Sequence, residues 1–141
     1  MPEARQPQLA STPIASRPQE SPLALDGFCP VTLAENEDWL QGDPLWGAVH
    51  RGRTYLFTSQ RHQQTFMAAP DRYSPMLSGY DPVRYIDRGE LVPGVRKHGM
   101  WFGVKMYLFS DEASLQRFSG SQESCQYYAE RAHAIMMRAG R

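Results

Sequence analysis

The sequence GFCPV at residues 27–31 returns as GYDPV at residues 79–83, an offset of 52 positions. The same offset, applied without a gap, aligns further glycines and aromatic residues along the chain. Chance does not place clusters of glycine, proline and aromatic residues in one register, so the frame indicates an internal duplication. The aligned residues are Gly42 with Gly94, Gly47 with Gly99, Gln64 with Gln116, Phe66 with Phe118, and YLF at residues 55–57 with YLF at residues 107–109.

Each half of the chain contains the pattern of a β-hairpin. Two runs rich in aromatic and β-branched residues flank Gly52 in the first half and Gly103 in the second. A glycine between two such runs is typical of a strand–turn–strand unit. The predicted strands are residues 46–50 and 54–58 in the first half, and residues 100–102 and 105–110 in the second.

A helix is predicted after each hairpin, and another at the C-terminus. Ser59 and Asp111 follow the hairpins, and both residue types favour N-caps because their side chains accept hydrogen bonds from the first amides of a helix. The helical turns that follow are predicted over residues 62–68 and 114–118. From Ser124 onwards the apolar residues recur with helical spacing, which predicts one long helix.

The predicted organisation has four parts. Residues 1–23 are rich in Pro, Gln and Ser and offer little to bury, so we expect a flexible tail. A first repeat is predicted over residues 24–78, a second over residues 79–123, and the C-terminal helix over residues 124–141. The predicted fold class is therefore α+β, with a hairpin and a helix in each of two tandem repeats.

The size of each repeat raises the question of what stabilises it. A unit this small is marginal when only a hydrophobic core supports it, and neither repeat has enough cysteines for a metal or disulfide framework. We therefore expect the repeats to pack as one pseudo-twofold body around a shared core, and to unfold in one cooperative transition. The residues expected in the shared core are Leu56, Phe57, Phe66, Leu108, Phe109 and Phe118.

The composition excludes several classes of protein. The 141 residues include 15 basic and 15 acidic side chains, so the net charge is zero and nucleic-acid binding is not expected. No apolar run approaches the roughly 20 residues that cross a bilayer, so we expect a soluble chain with no membrane span. Residues 1–26 lack a signal-peptide pattern, which leaves two locations open: the cytoplasm, or an exported form whose signal has been removed.

The aligned residues resemble the YHS domain, a small module whose motif begins Asp-Pro-Val-Cys and continues Tyr-x-Phe-Cys-Ser-x-x-Cys. The resemblance extends over residues 27–128 and implies the fold of tandem YHS-type proteins such as those of planctomycete bacteria. The matched residues are Pro30, Val31, Gly52, Tyr55, Phe57, Ser59, Phe66, Pro70 and Tyr73 in the first repeat, and Asp81, Pro82, Val83, Tyr107, Phe109 and Phe118 in the second.

The chain departs from this family at the motif cysteines, which are the presumed metal ligands of metal-associated YHS members. Threonine, serine and arginine, which stand at most of these positions here, do not supply the soft thiolates of such a site. The resemblance therefore implies a YHS fold with a degenerate metal site and no cofactor. The residues at the cysteine positions are Thr32, Thr58 and His62 in the first repeat, and Arg84, Ser110 and Ser114 in the second.

Two alternative functions and one disulfide remain open. Cys29 and His62 suit a partial site for zinc or copper, because thiolate and imidazole bind either ion, so a metal-binding protein is the first alternative. A small enzyme with Cys29 or His98 in a pocket at the repeat interface is the second. A disulfide between Cys29 and Cys125 would close a long loop and imply an oxidising compartment.

The leading prediction is a non-catalytic binding or protein-interaction module. The sequence has no Gly-x-Ser-x-Gly elbow, phosphate-binding loop or dinucleotide fingerprint, and Cys29 is not predicted to begin a helix that would lower its pKa. We expect a protein partner or self-association. The residues predicted to form the interaction or ligand surface are Trp46, His50, His98 and Trp101.

Overall fold

The structure is a computed structural model, and it describes residues 12–14 and 22–139. The chain divides into two compact units, Met1–Ser74 and Pro75–Arg141. Within the described residues, no helix combines the length and the apolar character that spanning a membrane requires.

The first unit combines a small sheet with short helices. Its strands form an antiparallel sheet in the order β1-β2-β3. In chain order its elements are β1 (Thr12–Ile14), α1 (Pro30–Asn36), β2 (Asp43–His50), β3 (Arg53–Phe57), α2 (Gln60–Ala68) and α3 (Pro70–Tyr73).

The second unit consists of one antiparallel hairpin and three α-helices among its described residues. Its last helix is the longest of the described chain, with 18 residues. In chain order its elements are α4 (Pro82–Arg88), β4 (Val95–Phe102), β5 (Lys105–Phe109), α5 (Glu112–Ser119) and α6 (Gln122–Ala139).

These elements confirm the predicted α+β class with a C-terminal helix, and both predicted N-caps are present. The Ser59 hydroxyl accepts from the His62 amide at 3.2 Å, and Asp111 Oδ1 accepts from the Ser114 amide at 2.9 Å. Helices α1, α3 and α4 were not predicted. Each is seven residues or shorter and has proline at its first position, so it lacks a periodic apolar run that sequence reasoning could detect.

The flexible tail predicted over residues 1–23 is wrong at two points. Thr12–Ile14 forms β1, which pairs antiparallel with β2. Near the end of the predicted tail, the Thr54 amide donates to the Pro22 carbonyl at 2.9 Å. Both segments satisfy backbone groups of strand edges, which needs no apolar side chain and leaves no hydrophobic pattern. The remainder of the predicted tail, residues 1–11 and 15–21, lies outside the described residues.

Positions 52 apart have the same backbone structure in the two units. Helix α4 and strands β4 and β5 each begin and end 52 positions after α1, β2 and β3. Residues 25–27 have φ values of 55°, 52° and 86°, and residues 77–79 have values of 54°, 55° and 88°. Leucine rarely adopts this left-handed conformation, yet Leu25 and Leu77 both do. The two units therefore place equivalent residues in equivalent environments.

Gly42 and Gly94 show why glycine is required at one of these equivalent pairs. The amide of Gly42 donates to the Gly27 carbonyl, and that of Gly94 to the Gly79 carbonyl, both at 2.8 Å. A Cβ atom at either position would lie 2.4 Å from a backbone carbon, which belongs to Leu56 in the first unit and to Leu108 in the second. Only a residue without a side chain lets the loop approach the neighbouring strand so closely.

Each unit contains a buried aromatic cluster centred on a helical phenylalanine. The ring of Phe66 lies 5.0 Å from those of Tyr55 and Phe57, measured between centroids. All three are fully buried. The equivalent rings of the second unit, at the same centroid distances, are those of Phe118, Tyr107 and Phe109.

Helix α6 closes the core of the second unit. Its residues Cys125, Tyr128 and Ala132 are buried and belong to the same cluster as Phe109 and Phe118. The C-terminal helix is therefore part of the core of the second unit. The shared core and single pseudo-twofold body expected from the sequence remain predictions.

Candidate functional site

Asp81, part of the GYDPV stretch that resembles the start of the YHS motif, is fully buried and accepts four hydrogen bonds. Its Oδ1 accepts from the amides of Val83 at 2.9 Å and Arg84 at 3.1 Å, which makes it the N-cap of α4. Its Oδ2 accepts from both the amide and the hydroxyl of Ser110, each at 2.7 Å. One carboxyl group therefore fixes the start of α4 to the end of β5.

The three motif-cysteine positions of the second unit have no metal-binding character. Ser110 donates its hydroxyl to Asp81. Ser114 is buried in the first turn of α5, where its amide completes the Asp111 cap. Arg84 carries a permanent positive charge, and a guanidinium donates hydrogen bonds but does not ligate a cation. A bound zinc or copper ion does not fit this set of side chains.

An open groove of about 650 Å³ lies beside these residues, between α4 and α5. Of the three arginines that line it, two pair with acidic side chains: Arg117 Nε lies 2.9 Å from Asp87 Oδ2, and Arg84 Nη1 lies 3.5 Å from Asp111 Oδ2. The hydrogen bond that Arg117 donates to the Tyr128 hydroxyl, together with the pairing with Asp87, raises the pKa of Arg117. Because the charges largely cancel, the groove has the character of a solvated ion-pair network.

The motif-cysteine positions of the first unit also serve local structure. The buried Thr32 hydroxyl donates to the carbonyls of Cys29 at 3.2 Å and Asp38 at 3.3 Å, tying the two ends of α1 together. Thr58 Oγ1 and His62 Nδ1 share a hydrogen bond of 2.6 Å across the start of α2. A hydroxyl beside an imidazole is the arrangement of a nucleophile and its base, and in enzymes a third group orients the base. Within the described residues, no carboxyl group hydrogen-bonds the other His62 nitrogen.

Cys29 is fully buried at the N-cap position of α1, directly before Pro30. The expectation that Cys29 does not begin a helix is wrong, because Cys29 is the N-cap of α1. The error arose because α1 itself was not predicted. Its amide donates to the Leu40 carbonyl at 2.8 Å. Within residues 22–139, no three or more His, Cys, Asp or Glu side chains are grouped to hold a metal ion, so Cys29 and His62 do not belong to a larger ligand set.

Both cysteines are free thiols. Cys29 and Cys125 are each buried, and neither is paired in a disulfide. The disulfide left open by the sequence gains no support, and no argument for an oxidising compartment follows from these residues.

His50, one of the residues predicted to form an interaction surface, lies inside the first unit and is 3% exposed. Its ring packs edge-on against Phe66, with centroids 5.8 Å apart. Its Nε2 lies 2.9 Å from Asp71 Oδ1. Since its ring is covered, His50 does not belong to a surface.

Asp71 joins the β2–β3 hairpin to α3. Arg51 donates from Nε to Asp71 Oδ1 at 2.9 Å and from Nη2 to Oδ2 at 3.0 Å. The hydrogen bond from Arg51 lowers the pKa of Asp71 to about 2, with a smaller contribution from His50, although partial burial opposes the shift. The cluster was not predicted, because Arg51 and Asp71 lie 20 residues apart and nothing local marks their contact.

The other three residues predicted for the interaction surface lie on strands. Trp46 is half-buried on β2, His98 is half-buried on β4, and Trp101 is 36% exposed on β4. The structure thus places His98 and Trp101 on one strand and Trp46 in the other unit. Of the four residues, Trp101 offers the largest accessible aromatic surface at a strand edge.

Asp81 was matched to the motif in the sequence, but its role as a helix N-cap was not predicted. The signal was present, because Asp directly before Pro is the pattern of an N-cap followed by proline at the first helical position. Its contact with Ser110 joins residues 29 positions apart and has no local signature.

No protein-family model matches the chain, and no solved structure gives a significant match. The resemblance to the YHS domain therefore depends on the motif residues themselves.

Proposed function

We propose that this chain is a non-catalytic, YHS-like protein-interaction module with a degenerate metal site. In this proposal its two repeats arose by internal duplication, and side-chain hydrogen bonds replace the metal ligands of the ancestral motif. The module works by presenting a surface to a protein partner.

The gapless frame supports the duplication. Equivalent helices and strands begin and end 52 positions apart, and an unusual run of three positive φ values occurs at residues 25–27 and again at 77–79. Strained backbone conformations persist only where the surrounding structure determines them. Two unrelated segments have no reason to share them at the same offset.

The observation that carries the proposal is the use of the motif-cysteine positions. Thr32 and Ser110 donate their hydroxyls to backbone or carboxyl oxygen atoms, and Thr58 bonds to His62. In the second unit the Asp81–Ser110 hydrogen bonds connect the start of α4 to the end of β5. In the first unit the Thr32 bonds tie the two ends of α1 together, and the Thr58–His62 bond connects the end of β3 to α2. We infer that these contacts give the local support that metal ligands at the motif positions would otherwise supply.

The burial of Cys29, the candidate nucleophile of the enzyme alternative, supports a non-catalytic role. His98, the other residue of that alternative, is half-buried on β4. A catalytic group must reach the reacting atom. Cys29 is fully buried, so its thiol does not reach a substrate without rearrangement.

Elemental analysis tests the proposal against the metal-binding alternative. The full chain, purified without chelator, is expected to contain far less than one zinc or copper per molecule. Cys29→Ala and His62→Ala should change that content by nothing measurable. Near-stoichiometric metal in the wild type that both variants lose would overturn the proposal and establish the Cys29–His62 site.

A further inference from the structure

Strand β1 covers the outer edge of β2 in the first unit. The register pairs Thr12 with Val49, Pro13 with Ala48 and Ile14 with Gly47. In a hairpin closed by a two-residue loop, alternate residues bond across the hairpin, so the backbone groups of Gly47 and Val49 point outward. Pro13 lies opposite Ala48, whose backbone groups point toward β3, so an amide at position 13 would have no partner on β2. The covered edge thus accepts a proline-containing strand without losing a hydrogen bond.

No strand of the described part of the chain covers the equivalent edge of the second unit. The sheet contains only β4 and β5 among the described residues. Its hairpin also closes with a two-residue loop between Phe102 and Lys105, so the backbone groups of Gly99 and Trp101 point outward. These residues stand 52 positions after Gly47 and Val49. An edge of this kind is a template for an added strand.

Residues at the β4 edge are more exposed than their equivalents at the β2 edge, as expected if no strand covers β4. Gly47 and Ala48 are buried on β2, and Ala48 is 0% exposed. Their equivalents Gly99 and Met100 are only half-buried. The ring of Trp101 is 36% exposed and could cover the apolar side of an added strand.

Charge indicates the kind of strand. Arg96 and Lys97 are exposed on β4 just before the open edge, where β2 has Pro44 and Leu45. An antiparallel occupant places the residues after its third paired position next to these cations. Acidic residues at these positions of the occupant would attract Arg96 and Lys97. The N-terminal segment of a second copy would place a cation there instead, because Ile14 is followed by Ala-Ser-Arg.

We propose that the β4 edge at residues 99–101 binds an extended, acidic segment of a partner protein as an added antiparallel strand. The inference rests on the proposed interaction function and assigns its site. Backbone hydrogen bonds to Gly99 and Trp101 hold the segment, the Trp101 ring covers it, and Arg96 and Lys97 select its acidic residues. Binding weakens as salt rises, because these cations are exposed.

The test uses the full chain and a labelled peptide in which residues 9–14 of this protein are followed by three glutamates. Fluorescence anisotropy should show saturable binding. The same peptide ending in three lysines, and a peptide of the chain's own residues 9–17, should each bind at least about tenfold more weakly, a difference of about 1.4 kcal/mol.

A matched set of variants locates the site. Trp101→Pro removes an outward amide without touching the β4–β5 ladder and should weaken binding at least about tenfold, whereas Trp101→Thr keeps the amide and should weaken it less. Val49→Pro removes the equivalent outward amide of β2, which pairs with Thr12 of β1, and should leave peptide binding at the β4 edge unchanged. Circular dichroism checks that each variant folds. If Trp101→Pro does not fold, NMR of the wild type replaces it. The amide resonances of Gly99 and Trp101 should then shift when the acidic peptide is added, and unchanged resonances would refute the site.

Three results would overturn the inference: no binding of the acidic peptide, full binding by folded Trp101→Pro, or loss of binding in Val49→Pro. Tighter binding of the chain's own peptide, or a dimer that Trp101→Pro dissociates, would make a second copy the occupant and also refute an acidic partner. The metal content of the same preparation separates this failure from failure of the proposed function. If the protein contains no metal and does not bind the peptide, only the binding site proposed here is refuted, and the proposed function is not.

Discussion

At Asp71, a single carboxyl group connects α3 to the hairpin through Arg51 and His50. Its pKa is about 2 in the folded protein, below the ordinary value of 3.8, chiefly because Arg51 hydrogen-bonds to it. A lowered pKa contributes stability that is present above about pH 4 and is lost as the pH falls through 2. The side chain is 57% exposed, so solvent screening reduces this contribution to about 1 kcal/mol.

Replacing the carboxyl with an amide should remove this pH dependence. Urea unfolding of the wild type at pH 5 and pH 2 is expected to show a loss about 1 kcal/mol larger than the loss shown by Asp71→Asn. Asp26→Asn, at an exposed position of the same unit, serves as the control and should behave as the wild type does. An equal loss in the wild type and Asp71→Asn would refute the role given to this contact.

Asp81 makes a larger contribution because it is buried and fully hydrogen-bonded. Asp81→Asn puts an amide donor against donors of Ser110 or of the α4 amides, and should destabilise the protein by about 2 kcal/mol. Ser110→Ala removes only one of the four bonds and should cost about 1 kcal/mol. Chemical denaturation measures both. Wild-type stability in Asp81→Asn would show that the carboxyl does not fix α4 to β5.

Among the elements, the approach of each glycine loop to its strand is the most demanding feature of the fold. Gly42→Ala and Gly94→Ala each force a Cβ to within 2.4 Å of backbone, and overpacking of this kind should cost about 2 kcal/mol or more. The two costs should be similar because the two sites are equivalent. Gly120→Ala is the comparison, since Gly120 adopts ordinary right-handed helical angles and a Cβ there would meet only the Gln116 carbonyl oxygen, at 3.1 Å, so its cost should be much smaller.

Thermal unfolding followed by circular dichroism compares these three variants. The expected order places Gly42→Ala and Gly94→Ala together, well below the wild type, with Gly120→Ala near it. A normal midpoint for Gly94→Ala alone would mean that the second unit does not share the packing of the first.

The elements also show what local sequence can and cannot predict. The hairpins and the helices after them follow from turn glycines and from Ser59 and Asp111, whose effects act within a few residues. Strands β2 and β4 begin earlier than predicted, at Asp43 and Val95, because an irregularity in the ladder interrupts the alternation that marks a strand. Strand β1 was missed since its pairing uses backbone alone.

The candidate site was predictable to the same limited degree. Motif spacing drew attention to Ser110 and His62 and indicated that these positions lack thiolates. It could not show that Ser110 bonds to Asp81, or that His50 lies inside an aromatic cluster, because both depend on contacts between elements distant in sequence.

For the whole molecule, the sequence predicts one cooperative unfolding transition, since each repeat is near the size at which a core alone is marginal. Scanning calorimetry of the full chain should give one endotherm whose calorimetric enthalpy equals the van't Hoff enthalpy. Phe118→Leu, which trims the centre of one aromatic cluster, should move that endotherm without dividing it. Two resolved endotherms, or a shift in only part of the signal, would contradict the shared interior.

The central proposal is that the hydrogen bonds made by Asp81, Ser110, Thr32 and Thr58 replace bound metal in supporting both units. The most direct measurement is thermal unfolding of the full chain before and after exhaustive treatment with a strong chelator. The account predicts the same midpoint in both conditions, with no change when zinc is returned. A midpoint that falls by several degrees on chelation and recovers with zinc would contradict it.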